Sequence, residues 1–262
     1  MVDDGLRLDL DELDSPERRS VERAPAELEE LIASHGGSIE HMFDRRPVVT
    51  LEGRIAASGF STGHRIVVGS WDEGPLGPMT DVMCADPSGR RTLLASSDAV
   101  ARFVGGVYTF DATAVVEFEI LESNNERIAL RAGSLEIDFH AGTPSRIFSL
   151  RPGWLRRRRW WARFEDAALR PLAGTLVLRG ARGVRAFGVS PSGVSEWYRI
   201  NAYRPLVAAS ASVRDCDLGQ MAPLDPPAGF GFSEFPRVPA LVTCSPVLAG
   251  ADRYLPRPAR HG

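Results

Sequence analysis

The sequence contains no lysine: all 31 of its Lys+Arg residues are arginine. Schiff-base formation and pyridoxal phosphate attachment need an amine that loses its proton near neutral pH, and a guanidinium does not. The standard phosphate-binding P-loop also places a lysine on its phosphates. A lysine Schiff base is excluded, and the other two chemistries are disfavoured. Cysteine is scarce as well. Cys84, Cys216 and Cys244 lie far apart and form no CxxC pair, so neither a disulfide framework nor a zinc knuckle is indicated, and a reducing cytoplasm is the expected compartment. No run approaches the roughly 18 apolar residues of a membrane span. The acidic N-terminal stretch (Asp3, Asp4, Asp9, Asp11, Glu12, Asp14) lacks the apolar core of a signal peptide. The histidines His35, His41, His64, His140 and His261 are scattered, without metal-ligand spacing such as HExxH. No metal and no cofactor are expected.

What is present is an ordinary globular composition, 44% hydrophobic and 25% charged over 262 residues, enough to bury a sizeable core. The net charge of -3 argues against nucleic acid bound through the whole surface. Residues 1–44 read as a charged arm carrying one short helix at 26–35, where Leu28, Leu31 and Ile32 share a helical face and Gly36-Gly37 supplies a stop. Residues 45–256 read as a single β-rich domain, and 257–262 as a tail. β-type runs occupy 48–57, 64–71, 79–85, 90–96, 112–121, 126–132 and 134–140, then 175–179, 184–189, 195–203, 206–213 and 238–245. A short helix is expected at 98–104. An amphipathic helix is expected at 153–172, with Trp161, Phe164, Ala168 and Leu172 on one face. The proline- and glycine-rich stretch 223–237 is loop. The predicted class is α+β, mostly antiparallel β and barrel-like, with one inserted helix.

Several motifs have both a chemical and a plain reading. Gly59-Phe60-Ser61-Thr62-Gly63 matches the GxSxG nucleophile elbow, but a β-type run follows it where the elbow needs a helix, so a hairpin turn is the better reading. Arg156–Arg159, flanked by Trp154, Trp160 and Trp161, suit a headgroup layer or an acidic surface, or simply the solvated side of a packed helix. Glu117 and Glu119 share one strand face, as paired acid/base groups or as a solvated edge. Glu196 and Tyr198 share another. They are ligand donors and acceptors if that side faces an interior, and surface groups if it does not.

Leu76-Gly77-Pro78-Met79-Thr80-Asp81 resembles the Leu-Gly-x-x-Thr-Glu stretch of the acetoacetate decarboxylase-like family, with Asp81 at the family's active-site carboxylate. Ala99-Val100-Ala101-Arg102 resembles that family's Ala-x-Gly-Arg stretch. Met221–Leu224 and Ser245–Ala249 resemble its last strands. The likeness spans about 46–256 and implies a β-barrel-like α+β fold with an interior pocket. The catalytic Tyr-Pro-Lys-Lys of the family is here Tyr108-Thr109-Phe110-Asp111, so the family's Schiff base is ruled out, and the glutamate following its arginine is replaced near Phe103.

A carboxylate in a low-dielectric pocket has its ionised form disfavoured and becomes a general acid or base. Asp81 and Asp111 are the candidates for that role, with Tyr108 and Tyr198 as hydrogen-bond donors to a carbonyl oxygen. Glu196 joins the substrate-binding set, and Arg102 or Arg199 would clamp a carboxylate. The expected function is a lysine-independent lyase, isomerase or cyclase of specialised metabolism acting on a carbonyl or carboxylate compound. The alternatives are a non-catalytic binder of an apolar ligand in the barrel, and a membrane-surface or partner-binding protein using the Arg/Trp helix. The expected partner is a small molecule, with self-association left open.

Overall fold

The computed structural model describes residues 46–145, 187–231, 233 and 235–256. The helices expected at 26–35 and 153–172, the strand at 175–179 and the tail lie outside these residues. The described chain runs β1 (Val48–Thr50), β2 (Glu52–Phe60), β3 (Arg65–Glu73), β4 (Met79–Ala85), β5 (Arg91–Ala95), α1 (Asp98–Val107), β6 (Ala112–Val115), β7 (Phe118–Ser123), β8 (Arg127–Ala132) and β9 (Leu135–Ala141). It continues with β10 (Phe187–Val189), β11 (Ser195–Val213), β12 (Cys216–Asp217), β13 (Met221–Ala222), β14 (Ala240–Ala249) and a 3-10 turn at Asp252–Tyr254. The strands form one curled half-barrel sheet in the order β6-β5-β4-β3-β2-β14-β11-β9-β8-β7. Every pairing is antiparallel except β5 with β6. No described helix is long and apolar enough to cross a membrane.

The expected β-runs correspond to these strands, with three differences. The run at 48–57 breaks at Leu51, so that β1 pairs with the end of β14 and β2 with its start. The run at 112–121 breaks at Val116-Glu117, where the chain leaves the β5 edge and begins the β7–β9 layer. The runs at 195–203 and 206–213 are one strand of 19 residues, β11. Its first part pairs with β14 as far as Pro205, and its second pairs with β9 from Leu206. Proline has no N–H for a ladder, and here it marks the point where one partner is exchanged for another.

Strands β2 to β4 are covered on both faces, which is why they read as near-continuous apolar runs instead of a clean alternation. On one face Ala56, Phe60, Ile66, Val68 and Val82 meet Ile128, Leu130, Ile137 and Phe139 of β8 and β9, with the Phe60 and Phe139 rings stacked at 6.3 Å. On the other, Ile55, Val67, Met83 and Leu93 meet Val100, Phe103, Val104 and Val107 of α1. Those four recur at i, i+3, i+4 and i+7, and each contributes about 1.5–3 kcal/mol by leaving water.

The hydroxyl of Ser97 caps α1 by accepting from the Val100 N–H at 3.3 Å. Ser97→Ala should cost about 1 kcal/mol, read as a lower urea midpoint at unchanged slope.

The solvent side of β7–β9 is an ion-pair ladder. Arg131 joins Glu119 (2.9 Å) and Glu136 (2.8 Å), and Arg127 joins Glu122 (2.9 Å) and Asp138 (2.8 Å). Glu117 and Glu119 are exposed on it, which supports the solvated reading of that pair. The GxSxG stretch is the β2–β3 hairpin turn. Gly63 sits at φ +88°, and Ser61 Oγ accepts from the Gln220 N–H at 3.1 Å.

Candidate functional site

The face of the sheet that carries α1 also carries the two buried carboxyls, Asp81 and Glu196. Helix α1 crosses this face and ends when the Tyr108 N–H bonds the Val104 carbonyl at 3.0 Å in extended backbone. Its last turn docks on the β10–β11 hairpin, where Ser192 Oγ donates to the Val107 carbonyl at 3.2 Å. Gly106 receives the Tyr254 ring, against which a Cβ there would collide. The Tyr108 ring is covered by the backbone at Gly231, where an added Cβ would lie 2.7 Å from it. Tyr108 is thereby carried across to β11.

There it meets Glu196 and Tyr198, which alternation places on one side of β11. The Tyr108 hydroxyl donates to Glu196 Oε2 at 2.8 Å and lies 2.6 Å from the Tyr198 hydroxyl, which itself reaches Oε2 at 3.2 Å. Glu196 is fully buried, and its second oxygen, Oε1, has no hydrogen-bond partner among the described residues. Burial pushes the Glu196 carboxyl up to about 7, while the two tyrosine hydroxyls pull the other way. Burial, and next the Glu196 carboxylate, hold both hydroxyls well above the usual phenol range, so both remain protonated donors.

Protonated on Oε2, the carboxyl closes a ring of three oxygens with one proton in each of the three contacts. Ionised, the ring has two protons for three contacts: either Oε2 accepts from both hydroxyls and the 2.6 Å tyrosine contact has no proton, or one hydroxyl donates to the other and Oε2 keeps one charge-assisted bond. The short tyrosine contact therefore favours the protonated carboxyl, and a gain or loss of its proton is accompanied by rotation of the hydroxyls.

A second buried carboxyl lies on the same face. Asp81 of β4 is 1% exposed and accepts from the Trp71 indole N–H through Oδ1 at 3.2 Å. Its Oδ2 has no partner among the described residues. Burial raises Asp81 to about 7 against that bond. Gly69, paired with Asp81 across β3–β4, makes room for both groups, since a Cβ there would stand 2.6 Å from Oδ1 and 2.9 Å from Nε1. Cys244, also buried on this face, has its thiol pushed up to about 12 by burial and is no thiolate at neutral pH.

Of the residues expected at the site, Tyr108, Glu196 and Tyr198 come together, and Asp81 is buried on the same face. The other three stand elsewhere. Asp111 is a surface group with its side chain 43% exposed, bound to the Arg91 guanidinium at 3.1 Å and to its backbone N–H at 2.8 Å. Those bonds hold its carboxyl down at about 2, so it stays ionised and is no acid/base group near neutral pH. Arg102 is exposed, because two positions from Val100 is about 200° around the helix. Arg199 shares the side of Trp197, opposite Tyr198, as strand alternation requires. Trp71 is the site residue that sequence reasoning misses, since an indole in an apolar run carries no signal of its hydrogen bond. No cluster of three metal-ligating side chains occurs among the described residues.

No protein-family model, curated protein or solved structure matches the chain. Asp81 and Glu196 share the sheet face on which α1 packs. The space between the sheet and the β8–β9 layer is filled by Ile66, Val68, Val82, Ile128, Leu130 and Phe139.

Proposed function

We propose that this protein is a lysine-independent acid/base enzyme of the lyase, isomerase or cyclase kind, acting on a carbonyl or carboxylate compound, with Glu196 as the proton-transferring group. The observation that carries the reading is the Glu196 carboxyl, poised at about 7 between two tyrosine hydroxyls, with Oε1 unpartnered among the described residues. Such a group protonates a carbonyl oxygen or removes an α-proton, and Tyr108 and Tyr198 adjust their donated bonds as its charge changes. Asp81 supplies a second proton site on the same face. The acetoacetate decarboxylase-like scaffold belongs to this proposal too. It is supported by the curled, mostly antiparallel sheet with its helix, and by the burial of Asp81 at the matched carboxylate position. In the stretch where that family carries its lysines, this chain brings up a tyrosine hydroxyl.

The test is α-proton exchange. Acetoacetate and 2-oxobutyrate are incubated with the full chain in D2O, and deuterium at the α-carbon is followed by NMR. Enzyme-dependent exchange is expected, with Glu196→Gln lowering its rate about 100-fold or more. Exchange unchanged in E196Q removes Glu196 from the role. Thermal stabilisation by these compounds without exchange would replace the enzyme by a binder.

A further inference from the structure

Arg65 is buried to 3% exposure, the deepest arginine among the described residues, yet no carboxylate there forms an ion pair with it. Its Nη2 donates to the Asp86 carbonyl at 2.6 Å, and its Nε has no acceptor. The Asp86 carboxylate is otherwise engaged. It accepts from Ser88 Oγ at 2.6 Å and from the Arg90 N–H at 3.0 Å, closing its own turn. A buried guanidinium without a counter-charge is costly, and structures normally supply one.

The surroundings indicate where an anion would come from. Arg65 opens β3, with Gly59 beside it on β2 and Ala85 on β4. Alternation puts it on the side of Val67 and Trp71, the face that also buries Asp81 and Glu196. The carbonyl of Pro223 lies directly over Gly59, in contact that any Cβ would block, and Leu224, Ala228 and Phe230 of the same loop are buried. On the far flank of Ala85, Arg91 has its anion within the chain, bonding Asp111 through Nε and Nη2 and the Gly229 carbonyl through Nη1. Two arginines thus stand either side of Ala85 beside the 223–230 loop, one satisfied by the protein and one not.

We propose that Arg65 anchors the oxyanion of a small ligand, a carboxylate or a phosphate group, next to the Pro223–Phe230 loop. The planar fork of a guanidinium matches either group, and burial strengthens the bond. Asp81 lies four residues along β4 from Ala85 on the same side, roughly 13 Å by strand rise, so a ligand of metabolite size held at Arg65 extends toward it. This assignment takes the clamping role expected of Arg102 and Arg199. It rests on Arg65 alone and does not depend on the acid/base reading.

The experiment labels arginine with 15N in the full chain and follows the Arg65 Nε–H resonance during two titrations, one with sodium acetate and one with inorganic phosphate. Ionic strength is held constant with chloride. A saturable movement of that resonance is expected with at least one anion. Acetate alone acting would assign a carboxylate, and phosphate alone a phosphoryl group. In parallel thermal-melt titrations Arg65→Met should weaken the effective anion about tenfold or more, while Arg131→Met, in the exposed ladder of β7–β9, should leave it unchanged. A resonance unmoved by both anions, or equal stabilisation of wild type and R65M, overturns the proposal. The resonance titration reads the wild-type chain, so the test survives a failure of R65M to fold.

Discussion

Glu196→Gln will make the protein more stable at pH 8, by about 3 kcal/mol, and leave it nearly unchanged at pH 4. The fold raises the Glu196 carboxyl from 4.5 to about 7 by burial. A group raised in the folded state binds its proton more tightly there than in the unfolded chain. Its contribution is fully present below the unfolded value, is lost as the pH rises toward 7, and changes no further above that. Each pH unit separating the folded and unfolded values is worth about 1.4 kcal/mol. Asp81, raised from 3.8 to about 7, acts in the same direction over the same window. Asp111 acts oppositely, because its lowered carboxyl adds stability as the pH rises, but that window lies between about 2 and 3.8. Wild-type urea stability should therefore decline from about pH 4 to pH 7, and E196Q and Asp81→Asn should each flatten part of the decline. Parallel pH profiles for wild type and E196Q would show that the carboxyl titrates as it does in the unfolded chain. A variant that gains stability while losing proton transfer is the usual mark of a group kept for chemistry.

Phe103→Ala is expected to cost about 3–5 kcal/mol, a large share of the 5–15 kcal/mol typical of a folded domain. Phe103 is 2% exposed and sits between α1 and the sheet. Its loss would leave a cavity that the sheet, held by ladders on both sides, closes poorly. The effect should extend beyond stability. Tyr108 reaches Glu196 only because α1 is pinned across this face, so a loosened helix withdraws a hydroxyl from the triad and lets water in. F103A should then show both a lower urea midpoint and a shallower pH dependence between 4 and 7. Arg102→Ala, on the exposed side of the same helix, should change stability by no more than about 0.5 kcal/mol. A similar loss in both variants would mean that α1 is not anchored through its apolar face.

The strands were legible because their information is local. Alternation, β-branched residues and turns such as Asp86-Pro87-Ser88-Gly89 identify an extended run without its neighbours. Where one run became two strands or two became one, at Leu51, Val116 and Pro205, the cause was a change of partner, which no local pattern records. The site divides in the same way. Glu196 and Tyr198 were readable as a pair, being two apart in one strand. Tyr108 stands 88 residues from Glu196, and its arrival depends on the path of α1 across the sheet. Arg102 and Asp111 were close to Tyr108 in sequence, yet helical phase turned the first to solvent and Arg91 claimed the second. Arg65 carried no sign in the sequence. An arginine opening a strand is commonly solvated, and this one is 3% exposed beside Gly59, over which the Pro223 backbone lies.

The long strand β11 has a consequence for cooperativity. One part of it carries Glu196 and Tyr198 and is stitched to β14, while the rest is stitched to β9. With a single segment belonging to both layers, neither can open without fraying the other, and local unfolding units in such a sheet tend to merge. The proton-bearing groups on one side therefore draw their rigidity from apolar packing on the far side, through a strand they share.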